Sequence, residues 1–70
     1  MPIVIAPLNK ELKIIKILTD DKTKKRLEDM GIIVGSNVTV LSSGGGNVVL
    51  MVKDGRVAID ESIATKILVV

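Results

Sequence analysis

Seventy residues are enough for one small core and too few for two, because a chain of this size buries only about 60% of the surface it exposes when unfolded. With no cysteine there is neither a disulfide framework nor a thiolate metal site, and the cytosol is the expected compartment. Ten Lys and Arg against eight Asp and Glu leave a net charge of only +2, and the absence of Phe, Tyr and Trp removes the rings on which single-stranded nucleic acids and proline-rich peptides usually dock.

The opening Met1-Pro2-Ile3-Val4-Ile5-Ala6-Pro7-Leu8 lacks a basic leader, and its apolar run is too short and too interrupted by proline for a signal peptide or a membrane span. A soluble single domain over residues 1–70 is therefore expected. Residues 10–18, Lys-Glu-Leu-Lys-Ile-Ile-Lys-Ile-Leu, are rich in β-branched side chains, but the apolar phase slips between Ile14 and Ile15. That pattern predicts a strand carrying a β-bulge.

From Thr19 to Met30 the character changes. Thr19 or Asp20 can cap a helix, Asp21 with Lys25 and Lys24 with Glu28 sit four apart, and Thr23, Leu27 and Met30 form a thin, less polar stripe. The prediction is a short helix resting by one edge on a sheet. Gly31 falls where a left-handed cap belongs, and Gly35 follows after Ile32, Ile33 and Val34.

Asn37–Leu41 and Asn47–Lys53 read as Val-rich strands joined by the loop Ser42-Ser43-Gly44-Gly45-Gly46. Asp54-Gly55 predicts a two-residue turn into a further strand, Arg56–Ile59. Asp60–Ala64 allows one helical turn before a last strand, Lys66–Val70. About five short strands, one small helix after the first and a helical turn before the last describe a mainly β fold, a small closed barrel.

In order along the chain, Ala6-Pro7-Leu8, Ile14 with Ile17, Arg26-Leu27-Glu28-Asp29-Met30-Gly31-Ile32, Val34-Gly35-Ser36-Asn37-Val38-Thr39-Val40, Val57-Ala58-Ile59 and the closing Ala64, Ile67 and Val69 resemble the FeoA family of ferrous iron transport accessory proteins. The most specific piece couples a helix end, Leu-x-x-Met-Gly-Ile, to a strand start, Gly-Ser-x-Val. The resemblance implies an SH3-like barrel and a cytoplasmic partner role toward FeoB, a membrane ferrous iron transporter with a G-protein domain. Two departures stand out: the short Ser42–Gly46 loop replaces a longer Ala-Pro-x-Gly-Asp-Pro-like loop of many members, and Asp60-Glu61 is acidic where relatives often carry Arg or Lys.

The residue inventory argues against catalysis, since without His, Cys or Tyr the usual nucleophile and base pairs cannot be assembled. For metals only carboxylates remain. Asp20 with Asp21, Glu28 with Asp29 and Asp60 with Glu61 are adjacent pairs, which diverge on a helix or strand; neither a resident metal nor a cofactor is expected. The Gly44-Gly45-Gly46 run lacks the lysine and following helix of a phosphate loop.

The one dense run of charge, Lys22, Lys24, Lys25 and Arg26, reads either as a solvated helix face or as a docking face for an acidic partner surface. Leu27 and Ile32 are expected in the core, with Met30 and Ile33 on either side of the boundary. The candidate partner contacts are Lys22, Lys25, Arg26, Met30, Gly31, Ile33 and Gly35. The rival function is a regulatory or nucleic-acid-binding module, as in small barrels beside metal-dependent repressors. It requires Lys13, Lys16, Arg56 and Lys66 to gather on one face.

Overall fold

The computed structural model describes residues 1–53 and 55–70. Each strand is set by alternation. In Asn47–Val52 the side chains of Val48, Leu50 and Val52 are buried while Asn47 and Met51 are exposed, the period of a half-covered strand. The same logic gives β1 (Glu11–Ile17), β2 (Asn37–Gly44), β3 (Asn47–Val52), β4 (Gly55–Asp60) and β5 (Ile67–Val69). All pairings are antiparallel, in the order β4-β3-β2-β1-β5. The first half of β1 pairs with β2 and its second half with β5, so the sheet turns the corner within one strand.

That corner is the expected bulge. Ile14 faces Val69 and Lys16 faces Leu68, which leaves Ile15 as the extra residue. The β2–β3 hairpin departs from expectation: Ser42, Ser43 and Gly44 belong to β2, and Gly44 pairs with Asn47. The loop is therefore only Gly45-Gly46, whose φ values of 63° and 87° are the positive pair that a tight mirror-image turn demands. A second register shift between Val40 and Ser42 moves the serines onto a solvent-facing extension. At the next hairpin Val52 pairs with Gly55, so Gly55 is a strand residue, not a turn residue. Asp54, the other half of the expected turn, lies outside the described residues.

Helix α1 spans Asp21–Asp29, with Asp20 as its cap accepting a hydrogen bond from the Thr23 N–H at 3.2 Å. Its end is closed in two bonds: Ile32 N–H donates to the Leu27 carbonyl (2.9 Å) and Gly31 N–H to that of Glu28 (3.0 Å). With Gly31 at φ 90° this is a Schellman ending, and the apolar contact that accompanies it is supplied by Leu27 and Ile32, both buried. Helix α2 is the single turn Glu61–Ala64.

The first residues take part in a way the sequence did not suggest. Ile3–Ile5 form a 3-10 turn whose Ile3 is fully buried, and Met1 and Pro2 pair with the outer edge of β5. The core is aliphatic, built around Ile3, Ile14, Leu27, Ile32, Leu50 and Ile67, and among the described residues no polar or charged side chain is buried in it.

Candidate partner-binding face

Thr23, Arg26, Leu27 and Met30 recur at the three- and four-residue spacing of one helix face. Leu27 alone among them is buried and anchors α1 to the core. The others form one wall of a groove of about 230 Å³, whose opposite wall is Ala58, Ile59 and Asp60 of β4 with Ile63 of α2 at its end. The groove thus has an apolar floor and two charged groups, Arg26 and Asp60, on facing walls.

The wall formed by β4 is the open edge of the sheet. Glu61 N–H donates to the Gly46 carbonyl at 2.9 Å, so by the alternation of antiparallel bonding the backbone groups of Val57 and Ile59 face β3. Those of Arg56 and Ala58 face the other way, both residues being exposed, whereas the carbonyl of the exposed Asp60 starts α2. Such an edge offers N–H and C=O groups to an added strand.

Beyond the helix, Ile33 to Ser36 make a tight turn in which Ser36 N–H (3.0 Å) and its hydroxyl (2.6 Å) both donate to the Ile33 carbonyl. Gly35, at φ 95°, holds the position that needs positive φ. It ties the turn to β1 by donating to the Ile14 carbonyl at 2.7 Å. The turn presents Ile33 and Val34 to solvent at 44% and 46% exposure, two adjacent aliphatic side chains outside the core.

The residues expected as partner contacts therefore fall into four places. Arg26 and Met30 meet at the groove; Lys22 and Lys25 are exposed on the same helix outside it; Ile33 and Gly35 sit on the turn. Gly31 is half-buried in the helix ending, where its φ of 90° is the constraint, and a Cβ there would make an ordinary 3.4 Å contact with Val52. Sequence reasoning missed Ala58, Asp60 and Ile63 as groove residues because nothing local in Val57–Ala64 marks proximity to a helix three strands earlier. Val34 was legible only as an apolar residue between two glycines.

Among the described residues no three His, Cys, Asp or Glu side chains gather into a metal-holding set. Asp20 is committed to the helix start: the Thr23 hydroxyl and N–H and the charge of Lys66 hold its carboxyl below the ordinary carboxylate value. Lys13, Lys16 and Lys66 share the outer face of β1 and β5, but Arg56 lies on β4 at the far end of the strand order. The stripe that the nucleic-acid reading required is split.

Five antiparallel strands in one sheet, open at β4 where the sequence suggested a closed barrel, with a capped helix and an aliphatic core, make a small SH3-like domain. The family model of the FeoA domain matches residues 1–70, and the chain belongs to the FeoA family, which is associated with ferrous iron transport. The fold is shared with a crystal structure of the iron uptake regulatory protein FeoA (TM-score 0.88, 23% identity, 99% of this chain and 93% of that one). It is shared too with the solution structure of FeoA from Chlorobium tepidum (0.88, 15%, 99% and 68%) and with that of an FeoA-like protein from Clostridium acetobutylicum (0.82, 21%, 100% and 84%). No curated protein matches the chain.

Proposed function

We propose that this protein serves ferrous iron transport without catalysing a reaction, as a single cytoplasmic domain that binds the cytoplasmic part of an FeoB-type transporter through α1, its groove and the Ile33–Ser36 turn. The observation that carries this reading is the groove between α1 and the open edge of β4, with Arg26 on one wall and unpaired backbone groups on the other. An extended acidic segment of a partner meets both: its backbone extends the sheet, and a carboxylate pairs with the planar fork of the arginine. Membership of a family associated with ferrous iron transport supports a transporter as the partner class.

Binding shifts the transporter between states only to the extent that one state presents the acidic segment better than the other. No resident metal or cofactor enters this account; iron is the cargo of the partner. The test is the affinity of purified full-length FeoB, held in nanodiscs, for this protein and for the double variant Arg26→Glu, Met30→Ser. Both side chains are exposed, so the variant is expected to keep its thermal midpoint and to bind at least about tenfold more weakly. Unchanged affinity with an intact fold removes the groove from the interface.

A further inference from the structure

The two edges of the sheet differ. That of β5 is covered: Met1 and Val69 exchange backbone hydrogen bonds at 2.8 Å, and Pro2 bridges to Leu68. Among the described residues nothing pairs with the outer edge of β4. This strand follows β3 in unbroken register from Gly55 to Asp60, without the bulge, proline or lysine that commonly keeps an edge from pairing. By the alternation described above, its outward N–H groups are those of Arg56, Ala58 and Asp60, and its outward carbonyls free of α2 are those of Arg56 and Ala58.

The charges on this edge are arranged about a centre. Arg56 and Asp60 lie two residues to either side of Ala58, all three are exposed, and the Asp60 side chain makes no capping bond to its helix. Charge protects an edge when two copies present the same sign to one another. Here the reverse holds. A two-fold axis at Ala58 sets each Arg56 opposite Asp60 of the other copy, and residues directly opposite in an antiparallel pair share a face with Cβ atoms about 5 Å apart. The small Ala58 side chains meet at the centre. The same register pairs Ala58 with Ala58 through N–H and carbonyl in both directions, and each Asp60 N–H with the Arg56 carbonyl opposite.

We propose that β4 pairs with β4 of a second copy of this chain, antiparallel about Ala58, to form a weak two-fold dimer whose sheet runs through both copies. An isologous contact requires a patch complementary to itself, which opposite charges equally spaced from a small central residue provide. The dimer depends neither on the transporter nor on the groove. Its consequence rests on the function proposed above: the backbone groups it uses are those offered to a partner strand, so a second copy and the partner exclude one another at β4.

Sedimentation equilibrium of the full chain alone tests the dimer, separately from any binding to FeoB. A monomer–dimer equilibrium is expected with a dissociation constant on the order of 100 μM, for a contact well below the size of a stable interface. Arg56→Asp and Asp60→Arg, each alone, set like charges across the axis and are expected to weaken the dimer at least about tenfold. Arg56→Asp combined with Asp60→Arg restores the opposition and is expected to return the affinity to within about threefold of wild type, which a misfolded variant could not do. The amides of Ala58 and Asp60 are expected to gain protection from hydrogen exchange as concentration rises, while those of Val57 and Ile59, which face β3, do not. A monomer at every concentration up to about 1 mM overturns the proposal. So does a double variant that associates no better than the single ones, which would place the contact elsewhere. Either result leaves the groove reading to its own affinity measurement with FeoB.

Discussion

Asp20 starts α1 through a single acceptor, and its energetics are readable because the groups around it are few. The Thr23 hydroxyl and N–H and the positive charge of Lys66 favour its ionised form, so its folded pKa lies below the ordinary 3.8. A depressed carboxyl contributes stability that is complete above the unfolded value and drains away as pH falls through the folded one. Asp20→Ala is therefore expected to lower the thermal midpoint at neutral pH by roughly 4–8 °C, the effect of losing a typical cap in a domain of this size. The gap to wild type should narrow in acid, below the ordinary carboxylate pKa; a gap that widens there would contradict the assignment.

Gly31 and Gly35 make a paired test of backbone conformation. Both hold φ near 90°, yet an added Cβ meets Val52 at 3.4 Å in the first and nothing within 4 Å in the second. Alanine at either position is expected to cost about 1–2 kcal/mol from the backbone alone. Chemical denaturation should show the two costs to be close, since 3.4 Å is an ordinary contact. A much larger cost at Gly31 would mean that the helix ending tolerates no outward movement of Val52.

At the scale of elements, α1 hangs on one residue. Leu27 is its only buried side chain, it packs with Ile32, and its carbonyl closes the helix. Leu27→Ala is expected to cost about 2–5 kcal/mol in urea denaturation, a large fraction of the stability of so small a domain. Loss of less than about 1 kcal/mol would show that the helix is held by its exposed contacts instead, and with it the groove.

These elements were legible in the sequence to the extent that their signals are local. The Ile14-Ile15 phase slip located the bulge, the pair Thr19 and Asp20 bracketed the helix start, and Gly31 marked the helix end, because each is a short-range consequence of residue type. The Ser42–Gly44 stretch was read as loop, since serine and glycine mark turns; pairing with Val48, Val49 and Asn47 overrode that preference. The turn Ile3–Ile5, which buries Ile3, was not legible because that burial depends on β5 and α2, more than fifty residues away.

For the whole molecule the same distinction decides what could be said about function. The helix side of the groove, Arg26 and Met30, was visible as periodicity and charge, whereas the β4 side arises only when the sheet brings Ala58 and Asp60 to face it. If the proposed acidic partner docks on α1, the charge outside the groove has a separate, kinetic role, with Lys22 and Lys25 steering that partner during approach. Lys22→Glu with Lys25→Glu is expected to slow association with the transporter by several-fold and to flatten its dependence on salt, with little change in dissociation. An effect confined to dissociation would place both lysines inside the interface.

The central claim, that this domain acts by holding a protein segment in the α1–β4 groove, is tested most directly by an NMR titration of the isotope-labelled chain with the soluble cytoplasmic domain of the cognate FeoB, with and without a GTP analogue, and with ferrous iron alone. The account predicts shifts clustered on Thr23, Arg26, Met30, Ala58 and Asp60 and on the Ile33–Ser36 turn with the protein, and none with iron. Shifts with iron alone centred on an acidic pair such as Glu28 and Asp29, or partner-induced shifts that leave the groove untouched, would contradict it.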